Sequence, residues 1–217
     1  MIRHNKTRIE TTGHYYSWGA PASEAQCAWF ALHGYGQLAE RLIGKFKGLD
    51  PDRHFVVAPE GLSHFYWEGV NGDVVASWMT RKDRLDEIAD YVSYLDKVFD
   101  TTGLARANCC KKVVLGFSQG CATAWRWLLN SRPKIDAYVM WSGWLPEDMN
   151  YLQHAEYLSG FKLIYVHGVQ DKYYPDGRFE LLMQRFKNAG LDPIVIHHSG
   201  GHAIDRPVLT NLVTTHL

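Results

Sequence analysis

Residues 111–120 read Lys-Lys-Val-Val-Leu-Gly-Phe-Ser-Gln-Gly, and this stretch decides the fold of the chain. An apolar, β-branched run leads into Gly-x-Ser-x-Gly, and residues 119–131, rich in Ala, Trp and Leu, follow it. This order predicts a strand, a sharp turn and a helix. Glycines flank the serine because a Cβ at either position would crowd such a turn. The pattern therefore predicts that the hydroxyl of Ser118 is exposed at the tip of a sheet.

Apolar runs and helical periodicities alternate along the rest of the chain. Further strands are predicted at 27–32, 55–58, 135–141, 162–167 and 193–198, and helices at 38–46, 83–99, 119–131, 175–188 and 205–215. Strands separated by helices favour an α/β fold with a mainly parallel central sheet and helices on both faces. Residues 7–18 predict a hairpin, and residues 59–78 predict a long, aromatic-rich loop that forms an ordered wall beside a site.

Composition and charge narrow the classes of function. With 217 residues, 46% of them hydrophobic, the chain has the size and core of one α/β domain spanning 1–217. The formal net charge is zero, which gives no electrostatic reason to expect nucleic acid or an anionic membrane as a partner. No stretch has the length of a membrane helix, and the N-terminus lacks the apolar region of a signal peptide. A cytoplasmic protein is expected, and a homodimer is left open.

The serine needs two partners for chemistry. A serine hydroxyl is a weak nucleophile unless a base takes its proton and an acid orients that base. Both should follow later strands, because sites in such sheets lie at the carboxyl ends of the strands. Asp171 follows the strand at 162–167, with Asp176 as the alternative acid, and His202 follows the last strand after two glycines. The sequence predicts Ser118, Asp171 and His202 as a catalytic triad.

The negative charge that develops on an attacked carbonyl oxygen also needs donors. One expected donor is the backbone N–H of Gln119, directly after the nucleophile. The other should come from residues 33–36, His-Gly-Tyr-Gly, after the strand at 27–32. Within this loop the N–H of Tyr35 is the first choice and that of Gly34 the second. His33 is expected to be a structural residue that packs beneath the loop.

Aromatic residues in the loops near these motifs are the candidates for substrate contacts. They are Phe65, Tyr66, Trp67, Trp78, Trp144 and Tyr173. The four cysteines show no metal-ligand spacing, and a zinc site at His198 and His202 would lack further ligands at suggestive positions. No cofactor or metal is therefore expected.

Taken together, these motifs resemble the α/β-hydrolase fold. More narrowly, they resemble the phospholipase/carboxylesterase group, which includes acyl-protein thioesterases and small bacterial carboxylesterases. The matching pieces lie at 32–36, 116–120, 167–171 and 201–202 and span the chain from Cys27 onward. The resemblance implies the same triad, no large cap domain and no cofactor. The chain departs from the group at Cys121, usually a small residue, and at 77–79, where Ser-Trp-Met stands for a segment ending in Trp-Phe-Asp.

The expected function is a serine carboxylester hydrolase that cleaves small or medium esters through an acyl-enzyme. The hydrophobic loop that receives a long acyl chain in thioesterases is not recognisable, which favours a small-molecule ester as the substrate. An acyl-protein thioesterase or lysophospholipase is the alternative. A catalytically silent hydrolase scaffold that binds a ligand or protein is a second alternative. Dienelactone hydrolase is disfavoured, because a serine and not a cysteine occupies the turn.

Overall fold

The computed structural model describes residues 1–108, 110–175 and 177–217. The strands are β1 (Tyr15–Gly19), β2 (Cys27–Leu32), β3 (His54–Pro59), β4 (Ser63–Tyr66), β5 (Val74–Ser77), β6 (Lys111–Phe117), β7 (Ala137–Trp141), β8 (Lys162–Gly168) and β9 (Ile194–His198). The helices are α1 (Ala39–Ile43), α2 (Arg84–Thr101), α3 (Gln119–Ser131), α4 (Ala155–Leu158), α5 (Arg178–Asn188) and α6 (Arg206–His216). Short 3-10 helices cover Gly44–Gly48 and Tyr151–His154.

Seven of these strands form one twisted sheet. Their order is β1-β3-β2-β6-β7-β8-β9, and every neighbouring pair is parallel except β1 with β3. Helices α2, α3 and α5 pack on one face, and α1 and α6 pack on the other. The predicted α/β class, with a mainly parallel sheet between two layers of helices, is confirmed.

Alternation along the central strands builds the two cores. In β6, Val114 faces the core under α2, α3 and α5, whereas Val113 and Leu115 face the core under α1 and α6. All three side chains are buried, and burial of one such side chain stabilises a fold by about 1.5–3 kcal/mol. Because both faces are covered, the central strands are almost entirely apolar, and buried polar side chains such as those of Lys112 and His167 lie near the strand ends.

The prediction of a hairpin at 7–18 is wrong. Only β1 forms there, and it pairs with β3 as an antiparallel edge strand. The residues before it have no regular structure. Instead, Lys6 and Arg8 form exposed ion pairs with Asp86 and Asp90 on α2. This segment therefore contacts α2 through ion pairs and does not pair with a second strand.

The segment 59–78 contains more regular structure than the predicted loop. Strands β4 and β5 form a small antiparallel hairpin, which a bridge between Gln37 and Ala76 connects to the loop after β2. The turn of the hairpin requires Gly72, because a Cβ there would lie 1.6 Å from the carbonyl oxygen of Trp67. The sequence pattern missed this hairpin because its strands have four residues each and carry no long alternation.

Candidate active site

Ser118 sits on a strained turn between β6 and α3. Its backbone angles are φ 53° and ψ −115°, outside the common regions for a residue with a side chain. A Cβ at Gly116 would lie 2.7 Å from the Cα of Cys121, and one at Gly120 would lie 2.2 Å from the carbonyl oxygen of Leu32. The flanking glycines therefore permit the start of the helix to approach both β6 and the end of β2.

The side chains of Ser118, His202 and Asp171 form a continuous chain of hydrogen bonds. The Nε2 of His202 lies 2.9 Å from the Oγ of Ser118, and its Nδ1 lies 2.7 Å from the Oδ2 of Asp171. The carboxylate of Asp171 is buried, and its Oδ1 accepts the N–H of Tyr173 at 2.9 Å. Because the carboxylate accepts a hydrogen bond from the N–H at Nδ1, Nε2 carries no proton and is free to accept that of the serine. Asp176, the alternative acid, lies outside the described residues.

Two backbone loops bring Asp171 and His202 together. The N–H of Gln170 donates to the carbonyl oxygen of Gly200 at 3.1 Å, so the loop after β8 bonds directly to the loop after β9. A Cβ at Gly168 would lie 2.5 Å from that same oxygen. The N–H of Gly200 also donates to the Nδ1 of His198 at 3.1 Å. A Cβ at Gly200 would lie 2.9 Å from that same Nδ1, and one at Gly201 would lie 3.3 Å from the carbonyl oxygen of Gln170, which favours glycine at both positions before His202.

The loop after β2 lies against the nucleophile. A Cβ at Gly34 would be 3.1 Å from the Cβ of Ser118. The N–H of Gly34 donates to the Oε1 of Gln37 at 3.1 Å and is therefore occupied. Among the described residues, no acceptor bonds the backbone N–H of Tyr35 or of Gln119. These two N–H groups therefore lack a protein acceptor among the described residues, whereas the N–H of Gly34 has one.

His33 has a structural position, as the sequence predicts. Its Nε2 accepts the N–H of Gly61 at 2.9 Å, so Nδ1 carries the proton and donates to the carbonyl oxygen of Gly34 at 2.8 Å. Burial lowers the pKa of His33 from 6.5 to about 4. The imidazole is therefore neutral at physiological pH and supports the loop from below.

Three aromatic rings cluster beside this loop. The ring of Tyr35 lies 5.2 Å from that of Phe65 and 5.9 Å from that of Trp67. Exposure alternates along β4, so Tyr66 projects from the opposite face of the hairpin to Phe65. The predicted substrate contacts at Phe65 and Tyr66 therefore lie on opposite faces of the hairpin. The ring of Tyr173 lies 4.6 Å from that of His202.

Trp78 and Trp144, two other predicted substrate contacts, pack against residues outside the aromatic cluster. The prediction for Trp78 is wrong, because its side chain is 2% exposed and its indole N–H donates to the carbonyl oxygen of His33 at 2.8 Å. Trp144 is partly buried, and its ring contacts the guanidinium groups of Arg178 and Arg185 at 4.6 and 4.9 Å. Packing partners distant in sequence determine both positions.

Sequence reasoning missed the side chain of Gln119. Its Oε1 accepts the N–H of Trp78 at 3.2 Å, and its Nε2 donates to the carbonyl oxygen of Met79 at 2.9 Å. This two-point bond fixes the orientation of the amide and ties the start of α3 to the segment after β5. The signal in the sequence is the long amide side chain directly after the nucleophile.

Three further possibilities for the described part of the chain are a metal site, a membrane-spanning helix and a second nucleophile. No group of three or more His, Cys, Asp or Glu residues there could hold a metal ion. None of the helices there has the length and apolarity that crossing a membrane requires. Cys121, close to the serine, is fully buried, and burial raises the pKa of its thiol well above the usual value. Cys121 is therefore a packing residue and not a second nucleophile.

Comparison with protein families identifies the class of enzyme. The family model described as "Serine hydrolase (FSH1)" matches residues 25–209, which include all of the residues in the hydrogen-bonded chain. The chain belongs to the FSH1 serine hydrolase family. This FSH1 hydrolase has no match among the curated proteins.

Solved structures similar to this chain confirm the α/β-hydrolase fold. A carboxylesterase from Mesorhizobium loti has a TM-score of 0.69 at 17% identity, covering 94% of this chain and 95% of that one. Zea mays acyl-protein thioesterase 2 has a TM-score of 0.69 at 17% identity, covering 94% and 97%. Esterase PE8 has a TM-score of 0.65 at 20% identity, covering 95% and 100%. The resemblance seen in the motifs is confirmed, and no large cap domain interrupts the part of the chain that the structure describes.

Proposed function

We propose that this serine hydrolase cleaves small or medium carboxylic esters through an acyl-enzyme. Ser118 is the nucleophile, His202 the general base and Asp171 the acid that orients it. The observation that carries the proposal is the hydrogen-bonded chain from the Oγ of Ser118 through both nitrogens of His202 to the carboxylate of Asp171. Its geometry is within the range expected of a nucleophile with its base.

In the acylation step, the Oγ of Ser118 attacks the carbonyl carbon while Nε2 of His202 takes the hydroxyl proton. The buried carboxylate of Asp171 stabilises the imidazolium that forms. The N–H groups of Tyr35 and Gln119 stabilise the tetrahedral oxyanion, and one such donor typically contributes about 10²–10³-fold in rate. The imidazolium then protonates the leaving alcohol as the C–O bond breaks. Water, deprotonated by His202, attacks the acyl-enzyme and releases the acid.

The rings near the serine support the proposed substrate class. Tyr35 and Trp67 are exposed, although their rings contact each other, and Tyr173 is exposed above His202. Exposed aromatic clusters are typical of surfaces that bind apolar ligands. We infer that the aromatic wall of Tyr35, Phe65 and Trp67 contacts a short or flat acyl or alcohol group.

Hydrolysis of p-nitrophenyl acetate and butyrate tests the proposal. We expect Ser118→Ala to lower turnover by several orders of magnitude, as loss of a triad nucleophile does. A fluorophosphonate probe should label the wild type and not this variant. Ser159→Ala, which changes an exposed serine after α4, is the matched control and should keep both activities. Unchanged hydrolysis in Ser118→Ala would refute the assignment, and a folded wild type that neither hydrolyses nor labels would indicate a binding protein.

An acyl-chain series decides between the ester substrates. Fastest turnover with two- to four-carbon acyl groups is expected. A rate that rises steadily toward palmitoyl esters and thioesters would indicate the acyl-protein thioesterase or lysophospholipase alternative instead.

We also propose that the enzyme acts in the cytoplasm. Support comes from Cys27 and Cys121, which are buried thiols without a disulfide, and burial raises the pKa of Cys27 to about 12. Cell fractionation with the fluorophosphonate probe should recover the labelled protein with cytoplasmic markers. Recovery outside the cell would contradict this location.

A further inference from the structure

The two proposed oxyanion donors belong to different elements of the fold. Tyr35 lies in the loop after β2, and Gln119 is the first residue of α3. An oxyanion hole works only when both N–H groups lie about 2.7–3.1 Å from one oxygen position. Something must therefore hold the loop and the helix start in fixed relative positions.

Trp78 contacts both elements that carry the proposed donors. Its indole N–H donates to the carbonyl oxygen of His33 at 2.8 Å, and its ring lies 4.9 Å from the His33 ring. Its backbone N–H donates to the Oε1 of Gln119 at 3.2 Å. One buried residue thus bonds the base of the Tyr35 loop and the side chain of the second donor.

We propose that Trp78 is a positioning residue that sets the spacing of the two oxyanion donors. The inference rests on the proposed function, because it assigns Tyr35 and Gln119 the role of donors. Trp78 acts through its hydrogen bonds to His33 and Gln119, and none of these bonds involves the reacting serine. The sequence predicts that Trp78 contacts the substrate, but its side chain is buried and contacts the residues that carry the proposed donors.

Neighbouring contacts make this arrangement stiff. The N–H of Gly61 donates to the Nε2 of His33, and a Cβ at Gly61 would lie 2.5 Å from the carbonyl oxygen of Ser77. The Nε2 of Gln119 donates to the carbonyl oxygen of Met79. We call His33, Gly61, Trp78, Met79 and Gln119 the Trp78 network. A buried polar group left without its partner costs about 1–3 kcal/mol, so the bonds of this network favour one geometry.

Small displacements at such a site have large kinetic effects. A misplacement of about 1 Å can cost up to about 10²-fold in rate. Because the oxyanion forms only along the reaction path, loss of donor alignment should lower kcat and leave KM nearly unchanged. A residue that merely fills the core would lower stability without this split.

The first experiment compares Trp78→Phe with Trp127→Phe. Trp127 is equally buried, and its indole N–H donates to Asp96 at 2.8 Å, away from the Trp78 network. Both changes therefore remove one indole donor and keep an aromatic ring. For Trp78→Phe we expect kcat for p-nitrophenyl butyrate to fall by about 10- to 100-fold, with KM within about twofold. For Trp127→Phe we expect kcat within about twofold of the wild type. Thermal unfolding of both variants checks that they are folded.

The second experiment tests the other end of the network. Gln119→Ala keeps the backbone N–H of residue 119 but loses both bonds to the segment 77–79. We expect a fall in kcat similar to that of Trp78→Phe. The two changes break different bonds of the one Trp78 network, so the double variant should be less impaired than the product of the two single effects, because residues of one network couple. If Trp78→Phe does not fold, the kcat of Gln119→Ala alone tests the positioning role. The rate of fluorophosphonate labelling of Ser118 provides a readout that needs no ester substrate.

The outcomes separate this inference from the proposed function. If the wild type hydrolyses esters through Ser118 while Trp78→Phe and Gln119→Ala keep a normal kcat, the positioning role is wrong and the proposed function stands. Equal losses in Trp78→Phe and Trp127→Phe would also overturn it. If the wild type labels but does not hydrolyse esters, slowed labelling in the two variants supports the positioning role for a different substrate, and normal labelling refutes it. A wild type that neither hydrolyses nor labels overturns both.

Discussion

Trp67 and Trp78 belong to one aromatic segment of the chain, yet the fold uses them in opposite ways. Trp67 is 42% exposed and its ring contacts Tyr35 and Phe65, whereas Trp78 is 2% exposed and bonds His33 and Gln119. Both were expected to contact substrate. One face of the hairpin segment thus presents rings beside the loop of Tyr35, which we propose as the outer wall of the site, while its carboxyl end is buried against His33 and Gln119.

The burial of the two tryptophans depends on partners far along the chain. Trp78 is covered because Gly61 permits the backbone of Ser77 to approach and because Gln119 supplies a two-point bond. Trp67 follows β4, and its backbone N–H closes the hairpin turn by donating to Asp73 at 2.8 Å. Neither set of contacts leaves a local pattern, since both aromatic residues sit in short strands and turns.

The largest expected effect concerns neither tryptophan but the residue that orients the proposed base. Asp171→Asn should lower kcat by about 10³–10⁴-fold, because the amide no longer favours the tautomer of His202 that accepts the serine proton. Steady-state hydrolysis of p-nitrophenyl butyrate measures it. Asp192→Asn, an exposed aspartate before β9, is the control and should keep full activity. A loss below about tenfold in Asp171→Asn would remove Asp171 from the triad.

The hydrogen-bonded chain of Ser118, His202 and Asp171 was predictable because each residue lies within four residues of the end of a strong strand signal. The runs at β6, β8 and β9 are apolar enough to be recognised, and parallel strands bring their carboxyl ends to one edge of the sheet. Helix α3 and the loop after β2 were predictable for the same reason. The Trp78 network was not predictable. Its hydrogen bonds join short connecting segments to the amide of Gln119 and to His33, which belong to other elements.

A second expected effect concerns the pH dependence of stability through His33. The unfolded side chain titrates near 6.5, whereas burial in the fold lowers the pKa of His33 to about 4. The unfolded state therefore binds more protons in this window, so stability is full above about pH 6.5 and falls toward pH 4, by up to about 3 kcal/mol. His33→Gln should flatten this part of the profile. Urea unfolding at several pH values measures it, and parallel profiles for the two proteins would contradict the assignment.

A moderate loss of stability is expected from a change at Gly61, where the chain after β3 approaches the end of β5. Gly61→Ala should lower the free energy of unfolding by about 2 kcal/mol, because the new Cβ would overlap the backbone of Ser77. Gly44→Ala is the matched control. A Cβ at Gly44 meets no atom within 4 Å, and its φ of −59° suits alanine. The control should be neutral or more stable by about 0.4–1 kcal/mol. Equal stability of the two variants, measured by urea unfolding, would mean that the backbone approach at Gly61 has little energetic importance.

The smallest expected effect concerns the outer wall and sharpens the contrast with Trp78. Trp67→Ala removes a ring from the cluster with Tyr35 and Phe65, and an aromatic contact contributes about 0.5–1.5 kcal/mol. We therefore expect KM for phenyl acetate to rise about two- to tenfold with little change in kcat, the reverse of the split expected for Trp78→Phe. Ethyl acetate, which presents no ring to the wall, should show a smaller rise.

Tyr66→Ala is the matched control for this prediction, because Tyr66 lies on the same hairpin and is 54% exposed but projects from its opposite face. Its KM for phenyl acetate should equal that of the wild type. An equal rise in KM for Trp67→Ala and Tyr66→Ala would mean that the whole hairpin, and not the face beside Tyr35, determines substrate affinity. The alternation along β4 would then have no consequence for binding, and the division of the aromatic segment into an outer wall and an inner support would apply only to Trp78.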